Sequence, residues 1–304
     1  MIVAIAMVGG AFAVRELVIE DDDSSAAGGG RDSGDELRVA CIAELADVCA
    51  DLDADATIAN AGDTAAELVA ASGEPDFDAW ITVAPWSQIV RDQRTAAGSD
   101  PVLDADIGPV ARTDRAEVLA GTCGGEVRWT CVGERAGTPW GGFGGDETWG
   151  NLRPAHAEAE TSAIGLLALG QAVGDFVATD EIPVDRVTPI DWENNDAFAG
   201  WFQQLERAIP SNAFEPGREP FDRWLQTRGT AYDIVATTEA AARTQLEAAT
   251  GAVRDSTTVL YPRPVATADV VLTPVAGGIG AEDLEDDLRD ALLEHGYRVG
   301  DATP

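Results

Sequence analysis

The sequence predicts an α/β fold whose sheets carry crossover helices, and three observations predict it. Strand and helix signals alternate three times before residue 93, a strand-rich stretch returns at residues 257–275, and an amphipathic helix closes the chain. In order, "ELRVACIAELADVCADL" starts as a short apolar strand and becomes a helix with Ile42, Leu45 and Val48 at helical spacing. "DATIANAGDTAAELVAASG" repeats that order, with a strand over Ala56–Asn60, a turn at Gly62–Thr64 and a helix that stops near Gly73. "FDAWITVAPWSQIVRDQ" gives a third strand, ended by Pro85, and a third helix.

The pattern then changes. "ADIGPVARTDRAEVLA" reads as an extended crossing segment. The Gly- and Trp-rich residues 121–154 have no helical period and read as a compact surface excursion. Helices follow around "EAETSAIGLLALGQAV", "NDAFAGWFQQLERAI" and "PFDRWLQTRG", then a strand and helix in "AYDIVATTEAAARTQLEAA". "TTVLYPRPVATADVVLTPV" is strand-rich, and "AEDLEDDLRDALLEHGY" is the closing helix.

Acidic residues number 54 against 20 basic ones, all of them Arg, for a net charge of −34. A GC-rich coding bias plus an acidic proteome is the favoured account of this, ahead of a specific cationic partner. Either way the charge opposes nucleic acid and anionic lipid headgroups, which it repels. The start "MIVAIAMVGGAFAV" is apolar but shorter than the roughly 20 residues that span a bilayer. Residues 1–17 read as the remnant of an uncleaved signal-anchor, or else as a buried first element. The acidic, Gly/Ser-rich residues 18–35 read as a solvated linker.

Four cysteines stand as two close pairs, Cys41 with Cys49 and Cys123 with Cys131. They permit three connectivities, and sequence alone does not choose among them. Local pairing is the simplest and is the expectation; an even count beside an anchor fits an oxidising exterior. Zinc is disfavoured, since neither pair has the C-x2-C spacing and His156 and His295 lie far from both in sequence.

Ligands on open α/β sheets collect beyond the carboxyl ends of the strands. Those ends are Ile42–Glu44, Gly62–Thr64 and Ala84–Trp86. Gly62, Asp63 and Thr64 open a helix, so each is a capping residue or a ligand contact. Trp86, after Pro85, stacks on a ligand or packs in the core. Thr161 or Ser162 is a good N-cap, and the same helix start offers free N–H groups to a ligand. Glu158 and Glu160 crowd that start with negative charge, which favours a zwitterion, a neutral solute or a peptide over a bare oxyanion. Glu239 opens another helix, where compensation of the helix dipole explains it adequately. The chain has no G-x-S-x-G, H-E-x-x-H or P-loop motif and only two His, so the usual catalytic pairs are hard to assemble. No enzyme activity and no cofactor are expected.

The order of "LRVAC", "AGDTAAEL", "PDFDAWITVAPW", "CGGEVRWTC", "WGNLRP", "SAIGLLAL", "YDIVATTEAA" and "VLYPRPVATADVVLTPV" resembles the bacterial extracellular solute-binding proteins of the periplasmic type 2 class. It is most similar to the branch often joined to a von Willebrand factor A domain. The resemblance implies a bilobal fold with two crossing strands, lobe one being residues 36–111 plus 259–304 and lobe two 112–258. It implies an interlobe cleft gathering Glu44, Gly62, Asp63, Thr64, Pro85 and Trp86 from lobe one. From lobe two it gathers Glu160, Thr161, Ser162 and Glu239. The ligand would be a small molecule, with a transporter permease or a separately encoded von Willebrand factor A protein as partner. No lipobox cysteine follows the apolar start, so the anchor expected is the peptide itself. An alternative use of the same fold is a cell-surface interaction module with a vestigial cleft.

Overall fold

The first apolar run becomes β1 (Arg38–Ile42), followed by a 3-10 turn at Ala43–Leu45 and α1 (Ala46–Ala50). Next come β2 (Asp55–Ala59), α2 (Ala61–Ala70), β3 (Ala79–Val83), α3 (Ala84–Gln93) and β4 (Pro101–Asp106). This is a computed structural model describing residues 37–71, 75–93, 101–179, 195–214, 219–275 and 281–299. The expected anchor and linker lie outside the described residues. No described helix is long and apolar enough to cross a membrane.

After a crossing at Ile107–Pro109 the chain forms β5 (Val110–Arg112), α4 (Thr113–Thr122) and α5 (Trp129–Arg135). Two 3-10 turns, β6 (Pro154–Ala155), α6 (Ala163–Thr179), α7 (Asp196–Ala208) and α8 (Pro220–Gln226) follow. Then come β7 (Ile234–Val235), α9 (Glu239–Ala248), α10 (Gly251–Arg254) and β8 (Thr257–Val259). The chain crosses back and ends on β9 (Thr267–Pro274) and α11 (Ala281–Glu294).

The strands form two sheets, in the orders β2-β1-β3-β9-β4 and β6-β7-β5-β8, and each sheet centres one lobe. Both are mixed rather than purely parallel. β1 runs parallel to β2 and β3, but β9 returns from the other lobe and enters antiparallel between β3 and β4. The crossing segments lie side by side: Ile107 N–H donates to Ala266 O and Leu260 N–H to Pro109 O, each at 2.8 Å. Buried Gln171 on α6 donates to the carbonyls of Ile107 (3.4 Å) and Pro262 (3.2 Å), pinning both crossings to one helix.

Two expectations for the middle of the chain are corrected. The extended reading of "ADIGPVARTDRAEVLA" ends at Arg112, because residues from Thr113 form α4. The Gly/Trp-rich stretch, read as free of helix, contains α5. Cross-links rather than periodicity hold it: the Cys123–Cys131 disulfide joins the end of α4 to α5, and buried Asp175 accepts from the Thr130 N–H at 2.7 Å. Trp140 is fully buried, with Trp149 edge-on at 5.3 Å.

The other disulfide, Cys41–Cys49, ties the end of β1 to α1, so both pairs are local. By loop-closure entropy each stabilises by about 2–3 kcal/mol. Reduction is therefore expected to lower the unfolding free energy by about the sum of the two, read as a fall in the urea midpoint. A melt indifferent to reductant, or a non-reducing peptide map linking the two pairs, would contradict this.

Candidate interlobe binding site

The start of α6 is built from Ser162. Its hydroxyl accepts the Gly165 N–H at 3.0 Å, the N-cap bond that satisfies one of the helix's orphan donors. The same hydroxyl donates to Glu44 Oε1 at 2.7 Å. Ala163 N–H donates to that oxygen at 2.6 Å, with Ile164 N–H farther off at 3.4 Å. Glu44 stands on the 3-10 turn after β1, in the other lobe. A carboxylate from lobe one therefore seats on the positive end of a lobe-two helix, where unpaired N–H groups and the helix dipole favour an anion.

Beside it the backbones touch. Gly62 N–H donates to Thr161 O at 3.3 Å, and a Cβ on Gly62 would come within 1.9 Å of Glu160 O. Only glycine admits this approach. Glu160 and Thr161 enter the contact through their carbonyls.

Around the Glu44 carboxylate the surroundings are acidic. Burial, then Glu44, then Asp222 push the Glu219 carboxyl up to about 8. Burial raises the Tyr297 hydroxyl well above its usual range; its hydrogen bond to Thr238 opposes that and Glu44 adds to it. Glu44 Oε2 is buried with no hydrogen-bond partner among the described residues. Thr238 caps α9 by accepting the Ala241 N–H at 3.1 Å. Glu239, next along, is buried and pairs with Arg243 on its own helix and with Arg298 at 3.3 Å. Arg298 also reaches Asp104 (3.4 Å) and Asp106 (2.5 Å) on β4 of its own lobe, so its pair with Glu239 is a second polar tie between the lobes.

Of the residues expected from sequence, Glu44, Gly62, Glu160, Thr161 and Ser162 come together at one contact. Glu239 sits in the neighbouring ion-pair group. Asp63 is exposed and accepts from Asn60 Nδ2 at 3.1 Å, while buried Thr64 donates to Asn60 O at 3.2 Å; both bonds stay within the first turn of α2. Trp86 is 2% exposed and belongs to the apolar core, with Pro85 half-buried before it. Glu219, Tyr297 and Arg298 were not foreseen. Glu219 does carry a signal, since it precedes Pro220 at the first position of α8. Tyr297 and Arg298 carry none, being placed by a turn at Gly296.

The apolar core is continuous through the boundary, running from Val39 and Ile81 of the first lobe to Leu119 and Trp140 of the second. An open groove of about 440 Å³ between α4 and β8 holds none of the ten candidate residues. Among the described residues no group of three or more His, Cys, Asp or Glu is placed to hold a metal ion.

Two buried groups set a pH dependence. His156 donates from Nδ1 to Ala157 O at 2.7 Å and lies 3.0 Å from Glu206 through Nε2. Burial pulls its pKa down, but the Glu206 hydrogen bond and charge, with the Ala157 carbonyl, outweigh it and leave the imidazole above its usual value. Glu219 is also raised. Both groups hold a proton in the folded state that the unfolded chain releases, so stability is full at low pH and is lost as pH rises through the folded values. The urea midpoint is expected to be higher at about pH 5.5 than at about pH 8.5, and Glu219→Gln should flatten that slope. A midpoint that rises with pH would contradict this assignment.

No family model matches the chain, and no curated protein matches it in sequence. Solved structures do match in shape. The sulfate-binding protein SubI from Mycobacterium tuberculosis H37Rv is 13% identical, with a TM-score of 0.55 over 88% of this chain and 87% of that one. The ferric binding protein from Campylobacter jejuni is 9% identical, with a TM-score of 0.53 over 84% of this chain and 81% of that one. The Trichodesmium protein IdiA (FutA), in complex with iron and citrate, is 9% identical, with a TM-score of 0.50 over 88% and 87%. At these identities the likeness is one of architecture: the chain has the bilobal α/β fold of these binding proteins.

Proposed function

We propose that the protein is an extracytoplasmic, non-catalytic solute-binding-like protein, tethered by its N-terminal residues, whose ligand cleft is the interlobe contact. The observation that carries the reading is the meeting of Glu44 and Gly62 from one lobe with Thr161 and Ser162 from the other. A two-lobed binder needs polar groups of both lobes to converge, and the convergence of these residues supports the reading. The similar structures include a sulfate-binding and a ferric binding protein, which supports a small ligand; a transporter permease as partner is what the sequence resemblance implies. Two local disulfides suit an oxidising compartment.

Glu44 on the α6 start favours a second reading. A cleft already filled by the chain's own side chain suits a cell-surface interaction module, with a von Willebrand factor A protein as one candidate partner. Native mass spectrometry of freshly purified protein separates the two. A co-purified small molecule released on denaturation supports the binder; a bare polypeptide mass across preparations favours the module.

A further inference from the structure

We propose that Glu44 is a built-in ligand: its carboxylate fills the oxyanion position at the start of α6, latches the lobes together without a solute, and makes the cleft refuse free oxyanions. The inference goes beyond the functional reading above and applies to the ligand-free chain under either version of it.

The geometry is that of a bound anion. One oxygen, Oε1, takes the Ser162 hydroxyl and the Ala163 N–H at 2.7 and 2.6 Å, the short lengths of charge-assisted hydrogen bonds. These donors belong to a 17-residue helix of the opposite lobe, 118 and 119 residues away in sequence. An ordinary N-cap would come from the residue next to its own helix. Here Ser162 already fills that role toward Gly165, so the Glu44 bond is an addition to a completed cap.

A second, independent feature holds the carboxylate in place. Glu44 lies inside the loop closed by the Cys41–Cys49 disulfide, on a 3-10 turn at the end of a central strand. A side chain carried on so short a covalent ring is preorganised rather than free to swing. Gly62 completes the latch by letting bare backbone close onto the Glu160 carbonyl beside it.

Refusal of oxyanions follows from what surrounds the occupied position. A free anion must displace the Glu44 carboxylate from the Ser162 hydroxyl and the Ala163 N–H and then remain beside it, because the short disulfide-closed ring holds that side chain at the site. Like charges brought together in a partly desolvated contact are strongly unfavourable.

The test uses the full chain and two variants, Glu44→Ala and Glu44→Gln. Small-angle scattering reads lobe separation, and hydrogen exchange reads the Ala163 and Ile164 amides. Each is measured with no added anion, with sodium acetate and with sodium sulfate at matched ionic strength. Wild type is expected to be compact and indifferent to both anions. Glu44→Ala should scatter as a wider particle, exchange those two amides about tenfold faster, and recover both properties in acetate or sulfate. Glu44→Gln keeps the volume but lacks the charge and should fall between them; if Glu44→Ala does not fold, it carries the test. A compact Glu44→Ala with protected amides overturns the latch. An open variant that no anion restores overturns the built-in-ligand assignment, and sulfate binding by wild type overturns the refusal. The solute reading is decided separately, by whether a small molecule co-purifies with the protein.

Discussion

Asp233→Ala is expected to lose about 3–5 kcal/mol of folding stability, the cost of stranding a buried charge. Asp233 is 0% exposed, just before β7. One carboxylate oxygen pairs with the buried Arg115 guanidinium. The other accepts the Arg153 N–H at 2.7 Å and Trp140 Nε1 at 3.3 Å. Burial raises the Asp233 carboxyl and lowers Arg115, in each case outweighing the partner's opposing effect. Both shifts run against the charged forms, so the pair is a costly element held by its neighbours rather than a net source of stability. Removing one partner is what the fold cannot absorb, because among the described residues the buried Arg115 guanidinium is left with Gly229 O, at 2.8 Å, the Trp149 face, 5.5 Å from the ring centre, and the nearby Asp114 charge. The double variant Asp233→Ala/Arg115→Ala should therefore recover part of the loss. Urea denaturation decides it; a single-variant loss below about 1 kcal/mol would mean that water or rearrangement satisfies Arg115.

Gly62→Val is expected to prevent the closed interlobe contact. Even a methyl group would fall 1.9 Å from Glu160 O and 3.1 Å from the Thr161 Cα, and both are backbone that a rotamer change cannot move. α2 or the Glu160 turn must retreat, which separates Glu44 from its donors. The expected loss is about 1–3 kcal/mol, as for overpacked sites, together with a larger radius of gyration. A variant as stable and compact as wild type would show that the two backbones do not meet in solution.

The three strand–helix units were legible because each is an apolar run followed by helical spacing and a turn residue. The local disulfides were the simplest pairing of four cysteines, and the structure contains them. α5 was not legible: its residues lack a period, Cys131 ties it to the end of α4, and Thr130 and Trp129 hold it through bonds to Asp175 and Gln171 on α6. The antiparallel entry of β9 was equally hidden, since its direction depends on where the return crossing emerges.

At the candidate site the helix start at Ser162 was visible as a hydroxyl before an apolar run. Glu44 was visible only as a strand-end residue. Its bond to Ser162 depends on how two lobes dock, which no local pattern records. Glu219, Tyr297 and Arg298 belong to the same class, residues whose partners lie far along the chain.

The central claim is that this chain closes on its own groups. Small-angle scattering of the ligand-free protein, after native mass spectrometry shows a bare polypeptide, tests it most directly. The account predicts a compact particle that matches the closed structure and does not contract further when a mixture of small solutes is added. An extended particle that contracts only on adding solutes would contradict it.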